Sequence, residues 1–507
     1  MTARSVALVV FTVLVVVGLV LTYLAGRRSR TAGGFWAAGG EISPVRNAIA
    51  TVGDFMSGSA LLGVIGLMFL AGYDAVLYLV LPLLAWIPIM LLVAERLRNL
   101  GEYTLTDVLV RRFGSGSFRV VLAISTLVVS GVYLLAQVVV AGNLFMLLSG
   151  MSYPAAVVLT GVIMVLYVGI GGMHGATVIQ VVKAVLLLAV LAGLTVLLLV
   201  RFGGDIGAMV ADAVAPAGGV DPLEPGNLLK DPWDMLSVAL AGTFGVAGMP
   251  HVMMRFFTVR DSVDARRSVT ITVALITVAS VLIALVGLGA CALLRPETKE
   301  LAASGGNLVA PRLAEVLGGA TMLGIVSAIA FATIVAVVSG LLVNASSAVV
   351  RDIWNQIGRA RSSDGEVRRA RVTTVVVGVV VVVMAVVLGP DFNAALLVTL
   401  AFGVAASANF PVLLLTLSWR RFTRTGAIAG VLTGLTAAVV LMVLGPTLWP
   451  GEQAPISLST PTLIALPLGV VGCVVGTVMS RRVPGGDFED IQVESELGRG
   501  MVVAHTG

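Results

Sequence analysis

Apolar runs about as long as a membrane is thick recur along almost the whole 507-residue chain. A helix of about 20 apolar residues crosses the hydrocarbon core of a bilayer, where every backbone polar group must be satisfied internally. Charged residues make up 12% of the chain, roughly half of what soluble domains carry. The sequence therefore predicts an all-α integral membrane protein with about thirteen transmembrane helices. The predicted spans are residues 5–25, 46–71, 75–95, 119–149, 154–171, 176–200, 234–257, 268–294, 318–350, 372–388, 392–417, 426–445 and 461–480.

The first apolar run could be a cleaved signal peptide or a retained helix. A signal peptide carries its positive charge before a shorter apolar core. Here residues 5–25 are long enough to span a bilayer, and Arg27, Arg28 and Arg30 follow the run. We therefore predict a retained first helix.

Arginine is concentrated in alternate loops, which accounts for the net charge of +5 without a nucleic-acid partner. Loops rich in Lys and Arg stay on the cytoplasmic side of a membrane. This pattern predicts an external N-terminus and a cytoplasmic C-terminus, with a short polar tail over 481–507 that we expect to be disordered. The arginine-rich loops lie at residues 27–46, 96–112, 260–267, 351–371, 420–424 and 481–482.

Two spans contain runs of glycine and polar residues, at 51–59 in the second span and 242–251 in the seventh. The second and seventh spans each begin a repeat of five spans, over 46–200 and 234–417. The two repeats insert into the membrane in opposite orientations. Broken helices at matching positions of two inverted repeats are typical of transporters, whose exposed backbone binds a substrate and ions at mid-membrane. The simpler interpretation is that the glycines permit close helix packing. The other segments are an N-terminal helix and loop (1–45), an external loop (201–233) and two peripheral helices (418–480).

Asp54 lies eight residues after Arg46, about 12 Å further along a helix. A carboxylate at that depth needs a partner or a proton. We expect Asp54 to bind the coupling cation or carry a proton. Alternatively, it caps the second half of the broken helix through free N–H groups.

Other polar residues within the spans are weaker candidates. Tyr133 and Gln137 share one helix face, and Asn409 follows Ser407; each either lines a substrate path or bonds to a neighbouring helix. Lys183 is expected to extend to the cytoplasmic interface. Arg255, four residues after His251, is expected to be a gate or an interface anchor; His174 and His505 are expected to be ordinary loop residues.

No nucleophile triad, phosphate loop or metal-binding cluster stands out in the sequence, so we predict no enzymatic activity and no organic cofactor. Cys291 and Cys473 lie in apolar runs, with neither the spacing nor the setting of a disulfide or metal site.

Several stretches together resemble the sodium:solute symporter family, and within it the bacterial cation/acetate symporters, which carry acetate and related monocarboxylates. The resemblance covers about residues 35–450. The matching stretches are Gly53 to Ser57, Ala94 to Gly101, Gly248 to His251, Met254 to Thr258, Ala330 to Ile334, and Ala408 to Pro411.

The resemblance implies a LeuT-type fold of two inverted five-helix repeats, with one extra N-terminal and two extra C-terminal helices. It also implies a sodium site that uses the carbonyls of Gly53 and Met56 and the hydroxyl of Ser57. The adjacent hydroxyl pair of the family is replaced here by Ala336 and Val337. The expected cation-binding residues are therefore Gly53, Asp54, Met56, Ser57, Thr333 and Ser339.

We expect a substrate site between the two broken helices and the spans 119–149 and 318–350. The expected function is symport of a short monocarboxylate (acetate, propionate or pyruvate) with Na⁺ or H⁺ across a bacterial plasma membrane. A symporter of proline, pantothenate or a sugar, or a transporter-like sensor, is the alternative. The expected substrate-binding residues are Ser59, Tyr133, Gln137, Gly245, Gly248 and Asn409.

Overall fold

The computed structural model describes residues 3–26, 42–101, 104–114, 116–214, 221–354, 363–447, 449, 454–480 and 488–498. Side chains are also left undescribed at 3–4, 18–19, 21–26, 166–179 and 363–367. The predicted loop residues Arg27, Arg28 and Arg30, the arginines at 481–482 and the side chains of His174 and His505 therefore lie outside the described part.

The described part of the chain is almost entirely helical. The first helices are α1 Ala3–Gly26, α2 Pro44–Phe55, α3 Ser59–Ala71, α4 Asp74–Leu100, α5 Leu105–Phe113, α6 Ser117–Ser149, α7 Tyr153–Arg201 and α8 Ile206–Val214. They are followed by α9 Pro232–Gly248, α10 Pro250–Thr258, α11 Ser262–Leu294, α12 Val309–Trp354, α13 Ser363–Leu388, α14 Ala394–Ser418, α15 Arg424–Leu444, α16 Thr462–Val478 and α17 Phe488–Leu497.

The apolar helices confirm a multi-pass membrane fold. Among the described residues, eight helices are long and apolar enough to cross a membrane, or ten if each of two bent helix pairs is one span. Three shorter apolar stretches, Ser5–Val17, Tyr153–Val165 and Thr462–Val478, bring the number of apolar stretches to the predicted thirteen, two of which lie in the single helix α7.

Both predicted helix interruptions are present. α2 and α3 meet at a bend of 56°, and α9 and α10 meet at a bend of 44°. The backbone leaves the helical region at Met56 (ψ 80°) and at Met249 (ψ 111°). Pro250 follows Met249, and a residue before proline is driven out of the helical region. No proline follows Met56, so the first break depends on its tertiary surroundings.

The connection between the fifth and sixth predicted spans differs from the prediction. Helical bonding is continuous through α7, from Tyr153 to Arg201, where the sequence predicts a turn between 171 and 176. His174, expected to be a loop residue, is therefore part of α7, although Gly171, Gly172 and Gly175 are close to it in sequence. Glycine weakens a helix by about 1 kcal/mol but keeps its N–H group, whereas proline removes it.

The two longest predicted spans accommodate their length differently. α6 is an uninterrupted helix of 33 residues. α12 bends at Gly318 and Gly319, where Gly319 has a φ of 66° that favours glycine, and it ends in a π-helical turn over Ala348–Trp354. α6, α12 and α14 are the most buried spans and form the centre of the bundle, whereas α13 is the most exposed.

The C-terminal tail is not disordered throughout, contrary to the prediction, because residues Phe488–Leu497 form α17. Its acidic side chains meet basic residues of α4 and α5. Glu494 accepts two hydrogen bonds of 2.6 Å from Arg111, and Asn99 donates to the carbonyl of Ser495 at 2.8 Å. The negative charge that suggested disorder instead pairs with an arginine-rich end of the bundle.

Candidate functional site at the helix breaks

The break between α2 and α3 lies at the centre of the molecule. Helix ends leave backbone groups without intrahelical partners, carbonyls at the C-terminus and N–H groups at the N-terminus. Here the last turn of α2 and the first turn of α3 meet around Ser57. The hydroxyl oxygens of Ser57 and Ser59 are 2.5 Å apart, and both side chains are buried. The break therefore brings two hydroxyls and the ends of two helices together inside the bundle.

Asp54, in the last turn of α2, belongs to a buried polar cluster. Its side chain is 3% exposed. One carboxylate oxygen accepts a hydrogen bond from Gln180 on α7, and the other accepts one from Arg255 on α10. Asp54 does not cap the N-terminus of α3, because side chains of two other helices bind both of its carboxylate oxygens.

Arg255 lies inside the bundle, so the predicted interface anchor is wrong, whereas the predicted role as a gate stays a prediction. Its side chain is 1% exposed and forms an ion pair with Asp54. α10 is the second half of the other broken helix, so the pair links the two breaks directly. A carboxylate compensates the buried guanidinium, as burial of a charge requires.

Lys183 also differs from its predicted position at the cytoplasmic interface. Its side chain is 2% exposed, and its amine donates a hydrogen bond to the carbonyl oxygen of Gly53. A side chain at Gly53 would place Cβ 2.5 Å from the carbonyl oxygen of Gln180. The missing side chain lets α7 approach α2, and Lys183, one turn beyond Gln180, then reaches the Gly53 carbonyl.

The remaining expected cation ligands lie on α12 and fit a cation site only in part. Ala336 and Val337 are buried and contribute no side-chain oxygen. Ser339 donates its hydroxyl to the carbonyl of Val335 on its own helix at 2.8 Å. Thr333 is buried and its hydroxyl has no hydrogen-bond partner. α12 does pass close to the cluster, because a Cβ at Gly340 would lie 3.7 Å from Asp54 Oδ1.

A cavity of about 40 Å³ adjoins the first break. Apolar residues such as Ala60 and Phe402 line it together with six hydroxyl-bearing residues: Ser57, Ser59, Tyr78, Tyr133, Ser280 and Thr399. The Tyr133 side chain interacts with Ser57 and Ser59, and its ring centroid lies 5.3 Å from that of His251. The cavity therefore combines the hydroxyls at the break with further hydroxyls and apolar side chains from other helices.

Gln137 is the least satisfied polar side chain near the break. It is fully buried, and neither its amide nitrogen nor its amide oxygen has a hydrogen-bond partner. A Cβ at Gly58 would lie 3.4 Å from Gln137 Oε1, so the amide is beside the break. Buried polar atoms are rarely left unpaired in proteins, and an exception indicates function or a missing partner.

Gly245 and Gly248, predicted to bind substrate, instead pack against α14. A Cβ at Gly245 would lie 2.5 Å from the carbonyl oxygen of Phe402, and one at Gly248 would lie 2.4 Å from that of Ala405. Asn409 is similarly committed: its amide donates to the Gly248 carbonyl at 2.9 Å and accepts from Ser125 at 2.7 Å. These three residues do not line the cavity. Their contacts agree with the simpler interpretation, in which the glycines permit close helix packing.

The sequence did not identify Gln180, Lys183 or His251 as members of the site. Gln180 and Lys183 are three residues apart in an apolar helix, which places both on one helix face. That spacing was the available signal, since ionisable residues inside membranes are functional by default. His251 is buried beside Tyr133, and its Nδ1 has no hydrogen-bond partner.

Solved structures share this architecture. The chain superposes with a TM-score of 0.75 on a Na⁺-coupled sialic acid symporter in a substrate-bound outward-open state, covering 95% of this chain and 99% of that one at 15% identity. It superposes with a TM-score of 0.57 on Mhp1, a nucleobase-cation-symport-1 family transporter, covering 91% and 98% at 14% identity. Identities this low show the fold alone: that of a LeuT-type secondary transporter with broken helices at its centre.

The chain belongs to the sodium:solute symporter family, whose sequence pattern matches residues 35–434. It is also similar to an uncharacterized symporter, YwcA, of Bacillus subtilis (strain 168), with 39% identity over 505 residues that cover 97% of this chain and 98% of the relative. The protein is therefore a multi-pass membrane transporter rather than an enzyme, and it moves a solute with a coupling cation.

Proposed function

We propose that the protein is a symporter of a short-chain monocarboxylate, such as acetate, propionate or pyruvate, with Na⁺ or H⁺. It works by alternating access across a bacterial plasma membrane. The inverted repeats at 46–200 and 234–417 each begin with a broken helix, and their relative movement exposes the cavity to each side in turn. The arginine-rich end of the bundle is cytoplasmic, which gives an external N-terminus and a cytoplasmic C-terminus.

The cavity beside the first break is the observation that carries the substrate class. One buried water needs about 10–15 Å³ of such space, so about 40 Å³ suits a solute of only a few heavy atoms. A monocarboxylate can place its charged end at the hydroxyls of Ser57, Ser59 and Tyr133 and its short alkyl chain against Phe402. Pantothenate or a sugar would require the cavity to widen considerably.

Two further features near the break suit a carboxylate. The N-terminus of α3 presents the positive end of a helix dipole, which favours an anion. Gln137 does not line the cavity, but it lies beside Gly58 at the break, and its amide nitrogen, which has no other partner, can donate a hydrogen bond to a carboxylate bound at the break. Ser59 and Gln137 therefore remain substrate-binding candidates, together with Tyr133.

Uptake into proteoliposomes tests this function. We expect labelled pyruvate and acetate to accumulate under an inward gradient of Na⁺ or H⁺, with empty liposomes as the blank for diffusion of the neutral acids. Unlabelled propionate should compete, whereas proline, pantothenate and glucose should not. Accumulation of one of those three solutes, without competition by monocarboxylates, would replace the proposed substrate class. Specific binding without any accumulation would favour a sensor.

A further inference from the structure

We propose that the amine of Lys183 is a tethered cation at the α2–α3 break, and that its gain and loss of a proton couples this site to transport. The inference rests on the proposed function, because it assigns the coupling ion of the same symporter. In each cycle the amine lone pair takes one proton from water on one side, and the N–H bond breaks to release that proton to water on the other side.

The position of the amine supports this role. The carbonyls in the last turn of a helix lack intrahelical donors and form the negative end of the helix dipole, so they attract a cation. Gly53 is in that turn of α2, and Lys183 donates to its carbonyl. A sodium ion bound to the same oxygen would lie beside a second positive charge, and like charges repel strongly in a buried site.

The facing helix offers few oxygens to a sodium ion. Of the expected α12 residues, Ala336 and Val337 have no side-chain oxygen and the Ser339 hydroxyl is bonded within its own helix. Only the hydroxyl of Thr333 is left without a partner among these residues. The structure therefore places the amine of Lys183, rather than a set of side-chain oxygens, where the cation is expected.

The charges around Lys183 single it out as the group that changes its protonation. Among the described residues, Asp54 and Arg255 are the charged groups that act on its amine. Asp54 and Arg255 are ion-paired with each other, and arginine keeps its charge in proteins, whereas a buried lysine can lose it. The described hydrogen-bond acceptor of Lys183 is a neutral carbonyl. The other titratable side chains beside the cluster are His251 and Tyr133.

Charge balance then links the proton to the substrate. With a neutral Lys183 amine, the Asp54–Arg255 pair leaves the empty site without net charge. With a protonated amine, the site carries one positive charge, which a bound monocarboxylate neutralises. An uncompensated charge is costly to bury. The protein therefore changes between its outward-facing and inward-facing conformations in the two forms whose site carries no net charge. Proton binding and anion binding therefore favour each other, by the reciprocity of linked equilibria.

Lys183→Arg provides the sharpest test, because it fixes the positive charge. We expect the variant to exchange labelled for unlabelled solute across proteoliposomes within about threefold of the wild type. Its net proton-driven accumulation should fall at least tenfold, since its empty form stays charged. Lys183→Met, which cannot hold the proton, should lose net uptake as well. Lys230→Met is the matched control, because Lys230 is exposed between α8 and α9 and outside the site, and it should retain proton-driven accumulation.

The assays use whichever solute the wild-type protein accumulates, so they report on Lys183 even if that solute is not a monocarboxylate. Accumulation that is driven by a Na⁺ gradient and unchanged by Lys183→Arg would overturn the inference. In that case, loss of the sodium dependence in Thr333→Val would place the cation site at Thr333. Proton-driven accumulation by Lys183→Met at the wild-type rate would overturn it too. If neither variant folds, sodium dependence of the wild-type protein alone decides against it.

Discussion

At the residue scale, the two buried amides near the breaks differ in their hydrogen bonding. The amide of Asn409 bonds to Ser125 and to the Gly248 carbonyl. The amide of Gln137 has no partner for either polar atom. An unmade hydrogen bond in a buried site costs about 1–3 kcal/mol, so Gln137 destabilises the protein unless something binds to it. This contrast makes Gln137 the better substrate-binding candidate.

Replacing each amide by leucine separates binding from stability. We expect Gln137→Leu to leave thermal stability unchanged or higher, because no bond is lost, and to weaken binding of pyruvate about tenfold. Asn409→Leu should instead lower stability by about 1–3 kcal/mol, because Ser125 and Gly248 lose their partner. Thermal unfolding in detergent and binding calorimetry measure the two effects. Unchanged affinity in Gln137→Leu would remove Gln137 from the substrate site.

At the scale of helices, the second broken helix is fixed by backbone contact with α14. Its glycines allow carbonyl groups of α14 to approach within van der Waals distance. The glycines of α15 and α16 act in the same way, since a Cβ at Gly430 or Gly476 would overlap the facing helix. Glycine thus permits close packing at both broken helices and between α15 and α16.

Adding a methyl group tests the packing role. In Gly245→Ala the new Cβ would lie 2.5 Å from a backbone oxygen, so we expect a loss of about 1–3 kcal/mol in the free energy of unfolding. Gly131→Ala, in α6, is the matched control, because its Cβ meets nothing within 4 Å. It should stabilise the protein slightly, by up to about 1 kcal/mol. Equal unfolding temperatures for the two variants would contradict the contact.

α5 shows how the arginine-rich end is fastened to the bundle. Arg112 is buried and donates hydrogen bonds to the carbonyls of Thr416, Trp419 and Arg420 at the end of α14 and just beyond it. Burial lowers the pKa of its guanidinium to about 10, which still leaves it charged at neutral pH. Its guanidinium also lies 4.5 Å from the ring centroid of Phe488, so α17 covers this junction.

At the scale of the whole molecule, one proton carried with one anion moves no net charge. We therefore expect an inside-negative potential, imposed with potassium and valinomycin, to change pyruvate accumulation less than twofold. Movement of one extra cation would add about 2.3 kcal/mol per 100 mV, equivalent to about fiftyfold in accumulation. Uptake that follows the imposed potential would show that more than one cation moves with each anion.

The sequence by itself determined the helical membrane fold and the break before Pro250, and its glycine and polar residues indicated where the other break lies. Long apolar runs cannot fold otherwise in lipid, and glycine or proline inside a span weakens local helical bonding whatever surrounds it. Asp54, Tyr133 and Gln137 were also identified, because polar groups in an apolar run are conspicuous.

Only the tertiary structure decided what those polar groups contact. Lys183 and Arg255 lie far from Asp54 in sequence, and their positions depend on how closely α7 and α10 approach α2. The position of a long side chain in its own helix does not show whether its polar end reaches the lipid headgroups or a carbonyl of a facing helix. The same is true of α17, because acidic side chains can be solvated or can pair with arginines, and the sequence does not show which. Partners of this kind are set by packing between distant segments, which no local pattern records.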